Sequence, residues 1–141
     1  MVNEILRGIS AALSREFTEK EYEIYVEEIR QGLQEPCFFV SAQNPSSQHF
    51  LEGRYLRRCP ILIQFFPENG KQEICHDVAE RMIACLEYIT LPGEEQPIWG
   101  KNPRYEIHDG VMSFFLDYDL FVLRKEDQEK MGELLQKGKA R

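Results

Sequence analysis

Nowhere in its 141 residues does the chain carry an apolar run approaching the roughly 20 residues of a membrane-spanning helix. No membrane partner is therefore expected. The opening segment places Glu4 and Arg7 inside an amphipathic pattern, so it reads as a helix rather than a secretory signal. The single Asn-x-Ser/Thr sequence, Asn44-Pro45-Ser46, is spoiled by its proline. Cysteine is sparse, with four residues (Cys37, Cys59, Cys75 and Cys85) and no C-x-x-C pair. Each sits among apolar neighbours, and free cysteine behaves as a small hydrophobe, so core filling is expected rather than disulfides or metal. Net positive charge is missing as well. The formal charge is −7, which argues against non-specific nucleic-acid binding, because that binding rests on Lys and Arg neutralising phosphates. These absences together point to the cytoplasm of a cell, or to a particle assembled there.

The usual signatures of chemistry are also missing. The sequence has no Gly-rich phosphate loop, no His-Glu-x-x-His and no Gly-x-Ser-x-Gly elbow. Its three histidines, His49, His76 and His108, are scattered among different segments. No catalytic residue, metal or cofactor is expected.

What is present is ordinary globular material: 43% hydrophobic and 29% charged residues in a length that suits one domain. Val2, Ile5, Leu6, Ile9, Ala12 and Leu13 recur at helical spacing and predict an amphipathic helix to about Arg15. Tyr22, Ile24 and Val26 alternate with polar residues, and their aromatic and β-branched character favours a strand at about 22–27. Pro36-Cys37-Phe38-Phe39-Val40 predicts a second strand, followed by a polar loop over 41–48. A longer strand is expected over 54–66, with Pro60 suggesting an edge or a bulge. The broad apolar face from Ile74 to Ile89 predicts a helix over 71–89, and a Pro- and Gly-rich loop should run to Pro103. Asp109-Gly110 between 105–108 and 111–122 is a hairpin signal, because both central turn positions need positive φ. The expected order is α-β-β-β-α-β-β. This is an α+β fold: a mostly antiparallel sheet with two main helices on one face. The domain should span 1–124, with 125–141 a charged tail, weakly helical or disordered.

Two groups of charged residues invite a functional reading. Asp117 and Asp119 share a strand face some 6.5–7 Å apart, a spacing open to metal or acid–base work, but with no partner base, nucleophile or pocket visible a solvated sheet face is the preferred reading. Arg54, Arg57 and Arg58 beside Tyr55 form a basic patch, which could equally blunt a strand edge against aggregation. Glu19, Glu21, Glu23, Glu27 and Glu28 form its acidic complement. A head-to-tail contact between copies could join the two, and such contacts close into rings when the rotation allows.

Three segments carry a resemblance. They are Ile24-Tyr25-Val26-Glu27-Glu28 with Gln31-Gly32-Leu33 and Pro36-Cys37-Phe38-Phe39-Val40; Gly53-Arg54-Tyr55-Leu56-Arg57-Arg58 running into Ile63-Gln64-Phe65-Phe66-Pro67; and His108-Asp109-Gly110-Val111-Met112. Over residues 1–122 the chain resembles the tail terminator (tail completion) proteins of tailed phages and prophages. The resemblance implies a ring of identical subunits, commonly a hexamer, on the head-proximal end of the tail tube. Such a ring ends polymerisation of the tube protein and meets the head–tail connector, first in the host cytoplasm and then in the virion. DNA would pass through its lumen without specific binding, and Asp117 and Asp119 are candidates for the lining. Other head–tail joining or tail-tube components share this architecture. Two further readings stay open: a small intracellular protein-binding module using Trp99 and Tyr105, and a metal-dependent nuclease using Asp117 and Asp119.

Overall fold

The computed structural model describes residues 1–28 and 32–123. The expected tail over 125–141 lies outside the described residues. Helix α1, Val2–Glu16, forms where the apolar stripe predicts it and buries Ile5, Leu6, Ile9, Ala12 and Leu13. Strands β1 (Glu23–Val26), β2 (Cys37–Ala42), β3 (Ser46–His49) and β4 (Arg54–Phe66) follow. After a 3₁₀ turn at Glu68–Gly70 come helix α2 (Gln72–Leu86) and strands β5 (Tyr88–Thr90), β6 (Pro97–His108) and β7 (Val111–Leu123).

The strands form one sheet in the order β1-β2-β4-β7-β6-β5, with β3 also paired to β4. Every pairing is antiparallel except β1 with β2. Both helices pack on one face. There Ile61, Ile63 and Phe65 of β4 meet Met112, Phe114, Leu116 and Tyr118 of β7, together with Val78, Ala79 and Met82 of α2. Phe38 anchors an aromatic cluster, its ring centroid 5.0 Å from both Phe17 and Phe65. The expected α+β class, with two helices on one face of a mostly antiparallel sheet, is what the chain adopts. The hairpin signal holds too: Asp109 and Gly110 take φ of 51° and 76° between register partners His108 and Val111.

Four expectations need correction. The polar loop over 41–48 contains strand β3, whose residues are all exposed. It forms because β2 and β3 are one extended run beside β4, broken by a bulge. The register steps from Ala42 opposite Ile61 to Ser46 opposite Arg58, so Gln43, Asn44 and Pro45 oppose Cys59 and Pro60. This also places Pro60. β4 is internal rather than an edge, and the bulge lies in its neighbour. The Pro60 carbonyl accepts the Gln43 N–H at 2.8 Å, so its own hydrogen-free nitrogen faces the bulge, where the ladder is already interrupted.

Helix α2 ends at Leu86, not 89, because Tyr88, Ile89 and Thr90 pair with β6 as β5. Ile89 is buried either way, so helical spacing could not separate the two outcomes. Finally, β6 begins at Pro97, well before Tyr105. A register shift between Lys101 and Arg104 absorbs Asn102, at φ 55°, and Pro103. Gly100 has a packing reason: a Cβ there would stand 2.8 Å from the Leu86 carbonyl oxygen and 2.9 Å from the Tyr118 ring. The space it leaves lets the buried Tyr118 hydroxyl donate to that carbonyl at 2.6 Å, satisfying the last turn of α2.

Candidate functional site

β4 is longer than the helix layer above it. Residues 59–66 alternate between buried and half-buried, whereas none of residues 54–58 is buried. The ladder nevertheless continues: Arg58 pairs with Ser46 and Asp119, and Tyr55 with His49 and Val122. The β3–β4 hairpin and the end of β7 therefore project as an arm beyond the core.

The pleat divides the basic patch between the arm's two faces. Tyr55 and Arg57 stand on the helix side, in the same alternation as Cys59 and Ile61. Arg57 lines a hollow of about 160 Å³ with Met1, Val2, Ile5 and Leu120. Arg54 and Arg58 stand on the opposite, outer face and are exposed. Between them on that face lies apolar surface that sequence reading missed. Phe50, Leu51 and Phe121 are 56%, 62% and 63% exposed, and Leu123 is 40% exposed. The Phe50 and Phe121 rings meet edge to face with centroids 5.5 Å apart. The signal was present in the sequence, since Phe121 and Leu123 put apolar residues on the face of β7 that also carries Asp117 and Asp119.

The acidic group lies elsewhere, on and around the sheet-edge strand β1. Glu19 is engaged inside the subunit. The Arg81 guanidinium donates to its two carboxylate oxygens at 2.6 and 3.1 Å, to the Glu16 carboxylate at 3.1 Å and to the Glu16 carbonyl at 2.8 Å. The same guanidinium sits 4.2 Å above the Phe17 ring. Its hydrogen bonds, helped by the Tyr22 hydroxyl, hold the Glu19 carboxyl down at about 2. We assign Glu19 to joining α1 to α2. Glu21, Glu27 and Glu28 are exposed and Glu23 is half-buried.

Asp117 and Asp119 do share the outer face, but each has a cation from β6. Lys101 Nζ is 2.5 Å from Asp119 and an Arg104 guanidinium nitrogen is 3.5 Å from Asp117. Arg58 stands opposite Asp119 in register. The two carboxylates are thus members of a mixed-charge ladder, and sequence reading missed the partners because Lys101 lies in the segment expected to be loop and Arg104 just ahead of the expected strand.

Other chemistry is sparse. Among the described residues no group of three or more His, Cys, Asp or Glu could hold a metal ion. His49 packs on Tyr55, while His76 Nδ1 lies 2.9 Å from the Tyr105 hydroxyl. Burial pushes the thiols of Cys37, Cys59 and Cys85 up to about 11, which leaves them protonated and unreactive near neutrality. Among the described residues no helix is long and apolar enough to cross a membrane.

No curated protein matches the chain by sequence. Among solved structures, a chain of the virion of a native gene transfer agent particle has a similar arrangement, with 11% identity and a TM-score of 0.49. The alignment covers 87% of this chain and 92% of that one. The family model described as phage tail terminator protein matches residues 4–130, nearly the whole chain. The chain belongs to the phage tail terminator protein family.

Proposed function

We propose that the protein acts in phage tail assembly as a ring of identical subunits, six by the family's common pattern, seated on the head-proximal end of the tail tube. There it ends polymerisation of the tube protein and presents the surface that meets the head–tail connector. It does so within the host cytoplasm during assembly and remains in the virion tail. The reading needs no reaction and no cofactor.

Family membership supports the tail-assembly role. One structural observation supports the ring. The exposed arm bearing Arg54, Arg57 and Arg58 and the acidic edge bearing Glu21, Glu23, Glu27 and Glu28 lie on or beside separate strands, and among the described residues no ion pair joins them. β1 is level with Cys37–Val40 of β2, and Val40 is level with Ile63 of β4. Arg58 lies five residues further along β4, about 16 Å away. Two different surfaces of one chain that complement each other suit a heterologous contact, the kind that builds a ring when its rotation closes.

We place Asp117 and Asp119 toward the lumen. There each carboxylate offsets a cation of β6, Lys101 or Arg104, so passing phosphate meets less uncompensated positive charge on that face.

The test is to add the purified protein to polymerising tube protein. Tubes should stop growing and carry a ring at one end in negative stain. Tubes that lengthen unchecked, with no end structure, would remove this reading. A ring further along the junction, with tube length unaffected, would instead indicate another head–tail joining component.

A further inference from the structure

The ring reading leaves open what each subunit lends to the next, and the inference that follows rests on that reading. The arm carries Phe50 and Leu51 at its tip, both more than half exposed, with Arg54 and Arg58 beside them. A solvent-facing pair of large apolar side chains on a projecting hairpin contributes little to its own subunit's core. At the far edge of the same molecule α1 and β1 flank an open groove of about 450 Å³ lined by Leu6, Arg7, Ser10, Val26 and Glu27. Val26 is 38% exposed there, on an outermost strand. The Glu27 and Glu28 carboxylates are exposed beside it.

We propose that the β3–β4 arm docks into the α1–β1 groove of a second copy of this chain, placing Phe50 and Leu51 against Val26 and the α1 side chains. Arg54 and Arg58 then meet Glu27 and Glu28 of the neighbour. Charge selects this occupant. Arg7 on the α1 side offsets Glu27 in the lining, and the exposed Glu28 beside Glu27 leaves the β1 side of the groove acidic, so a basic arm is favoured and enters with its arginines toward β1. The apolar tip supplies the contact that excludes water, and the ion pairs fix the register. Each subunit gives one arm and receives one, which is the connectivity a closed ring requires.

The test uses the full chain in three forms: Leu51→Cys, Val26→Cys, and the two combined. Burial raises the pKa of all four native thiols, at positions 37, 59, 75 and 85, and keeps them protonated, so mild oxidation near pH 7.5 addresses the introduced pair. Under assembly conditions with tube protein, a disulfide-linked dimer should form when the single variants are mixed and not with either alone. The combined variant should give a ladder ending at the ring's subunit number. In parallel, Arg54→Glu with Arg58→Glu should weaken assembly roughly tenfold or more, and adding Glu27→Arg with Glu28→Arg should restore it.

Rings that form normally with no cross-link and no response to the charge reversals would overturn the arm contact while leaving the ring reading intact. A native chain that never leaves the monomeric state, with or without tubes, would remove both. A chain ending at residue 123 should still cross-link. A cross-link that appears only on that truncation and not in the full chain would show that the C-terminal segment, not the arm, fills the groove, and would overturn the proposal.

Discussion

The two halves of β4 obey the same backbone rules and answer to different surroundings. Residues 59–66 lie beneath the helices and send Cys59, Ile61, Ile63 and Phe65 into the core. Residues 54–58 keep the same ladder with β7 and bury none of their side chains. Hydrogen bonding alone adds little net stability, because the unfolded strand is bonded to water. The projecting half therefore adds less to the core than residues 59–66 do. The proposed contact between subunits gives it a different use: what it presents to another chain.

That contrast can be broken at either end. Phe38→Ala in the aromatic cluster should cost about 3–5 kcal/mol, measured by denaturant unfolding. A loss below about 1 kcal/mol would mean that the core is not where the structure puts it. Gly100→Ala should cost about 3 kcal/mol, because the new methyl meets a backbone carbonyl and a packed ring. Tyr118→Phe should cost about 1–2 kcal/mol by leaving the Leu86 carbonyl without its donor, and the thermal midpoint would register it.

Smaller still is the link between α1 and α2. The Glu19 carboxyl is held at about 2, below its ordinary value of 4.5, so its contribution is present above pH 4.5 and fades as the pH falls toward 2. Arg81→Met should cost less than about 1 kcal/mol at pH 7 and should flatten the acid side of the stability profile. An unchanged profile would contradict the role given to Glu19. At the bottom of the scale, Phe50→Ser and Leu51→Ser should alter subunit stability by no more than about 0.5 kcal/mol. Against the loss at Phe38, that near-zero value is the sharpest form of the contrast between the two regions.

Much of the core was legible because its period was clean. The α1 stripe, the alternation in β7 and the Asp109-Gly110 turn each follow one local rule, and each formed as read. The parts that escaped are those where a local rule was outvoted by pairing. Ser46, Ser47 and Gln48 look like loop because nothing covers them, yet β4 supplies hydrogen-bonding partners for an exposed strand. Pro97, Gly100 and Pro103 hide the first half of β6. Gly100 is needed by the Tyr118 ring, and Pro103 sits in a register shift that spares the ladder.

The site was legible in its charges and not in its contacts. Asp117 and Asp119 do share a face, but their cations come from β6, a strand whose start was missed. The arginines of 54–58 were visible as a patch, while the pleat that sends Arg57 to one face and Arg54 and Arg58 to the other required β4 to be placed. Glu19 read as one member of an acidic block and turned out to hold two helices together. Phe50 and Leu51 gave no periodic signal at all, since a hairpin tip belongs to no repeating face.

The most direct test of the account is the mass and shape of the native protein bound to the ends of tail tubes. The account predicts closed rings with an open centre at one end of each tube, dissolved by the Arg54→Glu and Arg58→Glu pair while the subunit stays folded. Single subunits scattered along the tube wall, or none bound at all, would contradict it.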